Sequence, residues 1–169
     1  MNGRVMCLVL ATACSAVAES AIENTLDGMN RWGSGEFRRY GFSIYDATLW
    51  SMNDDPTQPP LALQLTYKRR IEGRAIVAVS IEEIRKASIN NDAQLNEWEA
   101  RMAKLFPDVR AGDRIVGVYT ASGAAFYHNE KYIGTIADAH FARAFFDIWL
   151  SEKTSAPELR RSLLKRVAQ

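Results

Sequence analysis

The chain has 169 residues, with 21 basic against 20 acidic side chains, 47% hydrophobic and 24% charged content. That length and composition suit one globular domain with a real core. The balanced charge gives no overall excess to attract nucleic acid or an anionic membrane surface, and the short runs Lys68-Arg69-Arg70 and Arg160-Arg161 read as solvated faces.

The first residues read as an address. Arg4 is the only charge before Glu19, and Val5 to Val17 is an apolar and small-residue run ending in Ala16-Val17-Ala18. This is the pattern of a signal peptide, with cleavage expected after Ala18 and a periplasmic or secreted destination. The run is too short to anchor the chain across a bilayer, so no integral membrane segment is expected after cleavage. Lipidation at Cys14 ranks lower, because Ala11 stands where a Leu is usual. Cys7 and Cys14 are the only cysteines, so the mature chain would carry no thiol for a disulfide, a thiolate metal site or a nucleophile.

Residues 19–31 read as a polar lead-in, with 32–169 as a single domain. Trp32 to Gly35 reads as a turn. Glu36 to Trp50 favours strand, rich in aromatic and branched residues, with Gly41 marking a bulge or turn. Asn53 to Pro60 is a loop. Leu61, Leu63, Leu65 and Tyr67 alternate with Ala62, Gln64 and Thr66, the pattern of a half-buried strand.

From Arg74 to Ala87 strand propensity at Ala75–Val79 competes with helical spacing of Val77, Ile81 and Ile84; the spacing predicts one helix. Ser80-Ile81-Glu82-Glu83 also has the form of a capping box. Asn91 and Gln94 cap a second helix with the stripe Leu95, Trp98, Met102 and Leu105, ended by Pro107. Three short strands follow, Arg114–Thr120, Ala124–His128 and Tyr132–Ile136, spaced as an antiparallel meander. Ala137 to Leu150 is a helix apolar nearly all round, which is buried or lines a cavity. Ser155-Ala156-Pro157-Glu158 reads as the capped start of a closing helix. Strands, helices, a meander and helices again imply an α+β fold with helices on one face of a sheet.

Few residues suggest chemistry. His128 and His140 are the only histidines and do not have paired-ligand spacing, so no metal site or cofactor is expected. No nucleophile elbow or phosphate-binding glycine loop occurs. Arg38 and Arg39 are adjacent on a strand, so one faces in and the other out. An inward Arg needs an anionic companion, either a ligand or an internal carboxylate such as Asp46.

Around these residues the chain resembles the bacterial chalcone-isomerase-like family. The resemblance is carried by Gly35-Glu36-Phe37-Arg38-Arg39-Tyr40-Gly41-Phe42, Ile44-Tyr45-Asp46-Ala47, Leu63-Gln64-Leu65-Thr66-Tyr67, Ile81-Glu82-Glu83-Ile84, Gly112-Asp113, Phe145-Phe146-Asp147-Ile148-Trp149-Leu150 and Thr154 to Arg160. It spans about residues 32–165 and implies an open-faced β-sandwich, a large antiparallel sheet covered by helices. The plant isomerases of that superfamily close a hydroxychalcone into a flavanone, using an Arg and a Thr on neighbouring strands, a Tyr and an Asn two helical turns apart, and a hydroxylated residue on the later helix. Here Arg38 matches the Arg, but Asp46, Ile76, Glu83 and Ala142 fall at the other positions. Each lost donor costs roughly a hundredfold to a thousandfold in rate. Chalcone isomerase activity is therefore not expected.

Relatives in that superfamily bind fatty acids through an Arg and a Tyr. The resemblance thus implies a small apolar carboxylate held by Arg38 with Tyr45 or Tyr67, its tail lined by Phe141, Phe145 and Trp149. Two other readings stay open: an isomerase or lyase using Asp46 as its acid or base, and a partner protein with a filled core and no ligand.

Overall fold

The structure, a computed structural model, describes residues 25–87 and 91–166. The expected signal peptide, with both cysteines, lies outside them. Six strands form one sheet in sequence order: β1 (Asn30–Arg39), β2 (Phe42–Ser51), β3 (Leu61–Tyr67), β4 (Arg114–Thr120), β5 (Gly123–His128) and β6 (Lys131–Ile136). Every neighbouring pair is antiparallel. Four helices complete the described residues: α1 (Gly73–Ala87), α2 (Asp92–Ala103), α3 (Ala139–Leu150) and α4 (Pro157–Leu164). This is the expected open-faced α+β sandwich.

The alternation of β3 sets the two faces. Leu61, Leu63, Leu65 and Tyr67 enter the main core beneath the helices, while Ala62 joins Val116 and Val118 on the other face. Leu26, Met29 and Trp50 pack against that outer cluster.

Trp32 to Gly35 are not a turn; they belong to β1. The glycines there serve close approach instead. A Cβ at Gly33 would stand 2.2 Å from the Leu163 carbonyl oxygen, so α4 can lie on β1 only where the strand has no side chain. The turn falls at Tyr40-Gly41, both at positive φ (51° and 81°), in a two-residue hairpin loop. Near this hairpin the register slips by one. Phe37 pairs with Tyr45 but Arg38 pairs with Ser43, leaving Ile44 as an extra residue on β2.

Between β3 and β4 the chain leaves the sheet to build α1 and α2, then returns beside its point of departure. The stem of this excursion is clamped. Ile71 and Val109 exchange both backbone bonds (3.0 and 2.9 Å), and the Tyr67 and Gly112 amides bond across at 2.9 and 2.8 Å. The Gly73 amide donates to Asp108 Oδ1 at 2.9 Å, and a Cβ there would meet the Phe106 carbonyl oxygen at 2.3 Å. Above the stem α1 packs on α2 and α3 rather than on the sheet. Its buried stripe is Val77, Ser80, Ile81 and Ile84. Ser80 caps nothing: it lies mid-helix, with its hydroxyl on the Ile76 carbonyl.

α3 crosses β4 and β5, capped by Asp138, which accepts from the His140 and Phe141 amides and from the Trp98 indole. Burial alone would raise the Asp138 carboxyl, but those three bonds outweigh it and hold it below its ordinary value. α4 begins at Pro157 without a side-chain cap, because the Ser155 hydroxyl is turned to Glu83 instead. In α2 the helix stops at Ala103, so Leu105 lies beyond it and is half-buried against Gly134.

Two outcomes follow from these contacts. Gly73→Ala is expected to destabilise the protein by about 1–3 kcal/mol in urea unfolding, since backbone rather than a flexible side chain opposes the new methyl. Asp138→Ala is expected to cost about 1–2 kcal/mol at neutral pH. Because the folded carboxyl is depressed, its contribution is present above the unfolded value near 3.8 and fades as pH falls through the folded one. The gap between wild type and variant should therefore close in acid; a pH-independent gap would refute the assignment.

Candidate functional site

A cavity of about 540 Å³ lies between α1 and the sheet. Its floor is Leu63, Leu65, Ile115, Gly117 and Phe126; its far wall is Phe145, Ile148 and Trp149 of α3. Ile76, Val79 and Glu83 bring a second edge of α1 to it, offset from the stripe that packs on α2 and α3. The hairpin residues Arg38, Arg39 and Tyr40, with Lys86 of α1, form its mouth. Size and lining are those of a pocket for an apolar small molecule.

Tyr45 and Tyr67 are the polar groups set deepest among these apolar walls. The extra residue on β2 brings both Ile44 and Tyr45 to the cavity side. Tyr45 stacks on Phe37 (ring centroids 5.0 Å apart), and its oxygen accepts the Trp149 indole N–H at 2.9 Å. Its own proton is not donated to any described residue. Tyr67 meets Tyr45 edge-on at 5.9 Å, and its hydroxyl has no partner among the described residues. Trp50 Nε1, on the outer face, is the only unpaired side-chain polar atom fully sealed among them. The Tyr67 oxygen is therefore within reach of a molecule in the cavity.

Burial pushes the Tyr45 hydroxyl well above its ordinary value; the Trp149 bond opposes this in part, and the Glu83 charge adds to it. Burial does the same for Tyr67, reinforced by Tyr45. Both phenols stay protonated, so the site offers donors seeking an acceptor. Glu83 is already held, by Lys86 Nζ at 3.0 Å and by the Ser155 hydroxyl.

The two arginines divide as adjacent strand residues must, but Arg38 takes the outward place. Its guanidinium bonds Glu36 at 3.0 Å and the Gly41 carbonyl at 2.8 Å, with 59% of the side chain exposed. The Ser43 hydroxyl and then Arg38 hold the Glu36 carboxyl below its ordinary value. The expectation of an inward Arg38 is thus corrected: it touches only the rim, and its charge is engaged. Arg39 stands over the Tyr40 ring at 5.4 Å and forms no ion pair among the described residues, although, after the Lys86 bond, its charge helps hold the Glu82 carboxyl below its ordinary value.

Asp46 is on the outer face, opposite in parity to Tyr45, and pairs with Lys68 at 2.6 Å. It does not reach the cavity, which removes the acid–base role expected of it. Phe141 is also displaced. It packs among Trp98, Phe126 and Phe145 in the core, where α2 covers it, and does not line the cavity. Tyr45, Tyr67, Phe145 and Trp149 do line it. Of the positions aligned with the plant isomerases, Ile76 and Glu83 face the cavity, while Ala142 is fully buried outside its lining. Sequence reasoning named Arg39 only as the alternative to Arg38, and passed over Val79, Lys86 and Ser155 as cavity residues. Val79 carried a signal: it is an apolar residue off the main stripe of α1.

An open antiparallel sheet with a phenol-bearing cavity under its helical cover defines an open-faced α+β sandwich. The chain belongs to the chalcone isomerase-like family, whose model matches residues 36–165. A Haemophilus influenzae protein described as uncharacterized is 28% identical over 134 residues, or 78% of this chain. The chain spans 66% of that relative's length. The crystal structure of an Arabidopsis thaliana fatty-acid binding protein is similar at a TM-score of 0.62 and 12% identity, over 82% of this chain and 87% of that one. That likeness establishes the fold.

The two tyrosines should respond differently to loss of their hydroxyls. Tyr67→Phe removes an unpartnered group and is expected to leave the free protein's stability within about 0.5 kcal/mol. Tyr45→Phe strands the Trp149 indole and is expected to cost roughly 1–3 kcal/mol. Equal losses in denaturant titrations would mean that the Tyr67 hydroxyl has a protein partner after all.

Proposed function

We propose that this protein is a non-catalytic carrier or sensor that encloses an apolar carboxylate such as a fatty acid. The observation that carries the reading is the pair of protonated, undonated phenols among the apolar walls of the cavity, whose charged lining residues are either held in pairs, as Glu83 with Lys86, or set at its mouth. A carboxylate head accepts from Tyr67 and Tyr45, and the acyl tail lies along Leu63, Leu65, Phe145 and Trp149. Each methylene buried contributes about 0.8 kcal/mol, and a hydrogen bond to the charged head about 1.5–3. Arg39 at the mouth supplies positive potential and is tied up in no ion pair, a role the sequence had suggested for Arg38. The binding activity named for the Arabidopsis thaliana protein of the same fold agrees with this reading.

The cavity argues against a partner protein with a filled core. Catalysis has little support: Asp46 is outside, Ile76 offers no hydrogen bond, and Glu83 is bound to Lys86 and Ser155. Cyclisation of naringenin chalcone should not exceed the rate in buffer. Export remains part of the proposal on the strength of the residue 5–17 run; intact-mass analysis of protein from cells should give a chain starting at Glu19.

Native mass spectrometry and thermal shift with long-chain fatty acids test the binding. We expect co-purified acyl species or a shift with added acid, an affinity about tenfold weaker in Tyr67→Phe, and no change in Asp46→Asn. Absence of both acyl species and thermal shift would sink the reading.

A further inference from the structure

We infer that the β1–β2 hairpin tip docks the cavity mouth onto a bilayer surface bearing anionic headgroups. Docking stands on the exposed tip itself; only its purpose, exchange of an acyl ligand with the membrane, rests on the reading above.

The tip exposes aromatic surface that the fold does not use. Tyr40 is 86% exposed and Phe42 is 60% exposed. Each carries a guanidinium over its ring, Arg39 on Tyr40 at 5.4 Å and Arg69 on Phe42 at 5.1 Å. Arg39 and Phe42 are register partners, so the two stacks form one continuous patch. Aromatic rings with cations beside them suit the headgroup layer, where the ring enters the apolar boundary and the cation meets phosphate.

Charge complementarity selects the occupant. The near-neutral total conceals a local excess. Around the tip Arg38 is paired with Glu36, Lys68 with Asp46, and Arg70 lies 4.0 Å from Asp108. Arg39 and Arg69 form no ion pair among the described residues; Glu82, the carboxylate that feels Arg39, is itself bonded to Lys86 at 2.7 Å. Two guanidiniums outside any ion pair, beside two exposed rings, match an anionic lipid surface. Each cation near such a surface contributes roughly fivefold in affinity. The run Lys68-Arg69-Arg70, read from sequence as a solvated face, is therefore part of this surface.

Backbone conformation adds a separate argument. Tyr40 sits at φ 51° in a turn whose first central position favours Asn or Gly. A bulky ring is kept where it is conformationally disfavoured, at the turn apex and at the mouth of the cavity.

Flotation of the full chain with phosphatidylcholine vesicles, with and without phosphatidylglycerol, tests this. Wild type should float with the phosphatidylglycerol vesicles, release as salt rises, and bind the neutral vesicles weakly. The double variant Phe42→Ser/Arg69→Ser changes residues outside the cavity lining; it should bind the anionic vesicles at least tenfold more weakly while its affinity for soluble decanoate is unchanged. Tyr40→Asn should hold or raise the melting temperature yet weaken vesicle binding. Tyr67→Phe should do the reverse, losing decanoate affinity and retaining flotation, which separates failure of docking from failure of the cavity reading. Wild type unbound to anionic vesicles, equal binding to neutral ones, or full flotation of the double variant would each overturn the inference.

Discussion

The structure depends on the clamp at the base of the α1–α2 excursion. β3 and β4 are neighbours in the sheet although two helices separate them in sequence. The Ile71–Val109 backbone pair and the Gly73–Asp108 bond bring the chain back to its point of departure. They also decide where α1 begins. Fixed there and supported sideways by α2 and α3, it bridges the sheet without settling on it. A helix with only one apolar stripe would leave an unwelcome gap below. α1 instead turns Ile76 and Val79 downward, so the space has an apolar ceiling as well as an apolar floor.

Polarity is segregated with equal economy. Glu36 and Arg38 on β1 and Asp46 on β2 lie on the outer face, where Glu36 pairs with Arg38 and Asp46 with Lys68. Such exposed pairs contribute about 0–1 kcal/mol each, so their value is in keeping charge out of the interior rather than in adding stability. Inside, hydroxyls and one indole are the deep polar groups, and the Trp149–Tyr45 bond fixes ring orientation across the gap between α3 and β2. The tyrosines remain neutral there because burial penalises their anions far more than their protonated forms.

Much of this was legible in the residues. The alternation of Leu61 to Tyr67 set the faces of the central strand, the nearly all-round apolar surface of Ala137 to Leu150 marked a helix against a core or cavity, and the family motifs pointed to the sheet and its helical cover. What escaped had particular causes. Glycines at 33 and 35 look like turn residues until α4 is known to press on them. Parity along β2 cannot be counted through an unseen extra residue, and a slip of one reverses every side chain beyond it. The bulge at Ile44 is such a slip. Asp46 was recoverable, however: it adjoins Tyr45, and in the regular strand beyond the bulge successive residues face opposite sides of the sheet. Phe141 shares a helix face with Phe145 and Trp149, and only the position of α2 decides that it is sealed away.

The sequential order of the strands has an evolutionary consequence. Because β3 and β4 pair directly, the sheet is complete without the segment that roofs its cavity. Selection can therefore revise the roof, changing what fits beneath it, while the platform and its registers stay as they are. The shape and polarity of the cavity can diverge at Ile76, Val79 and Glu83 long before the architecture records any change.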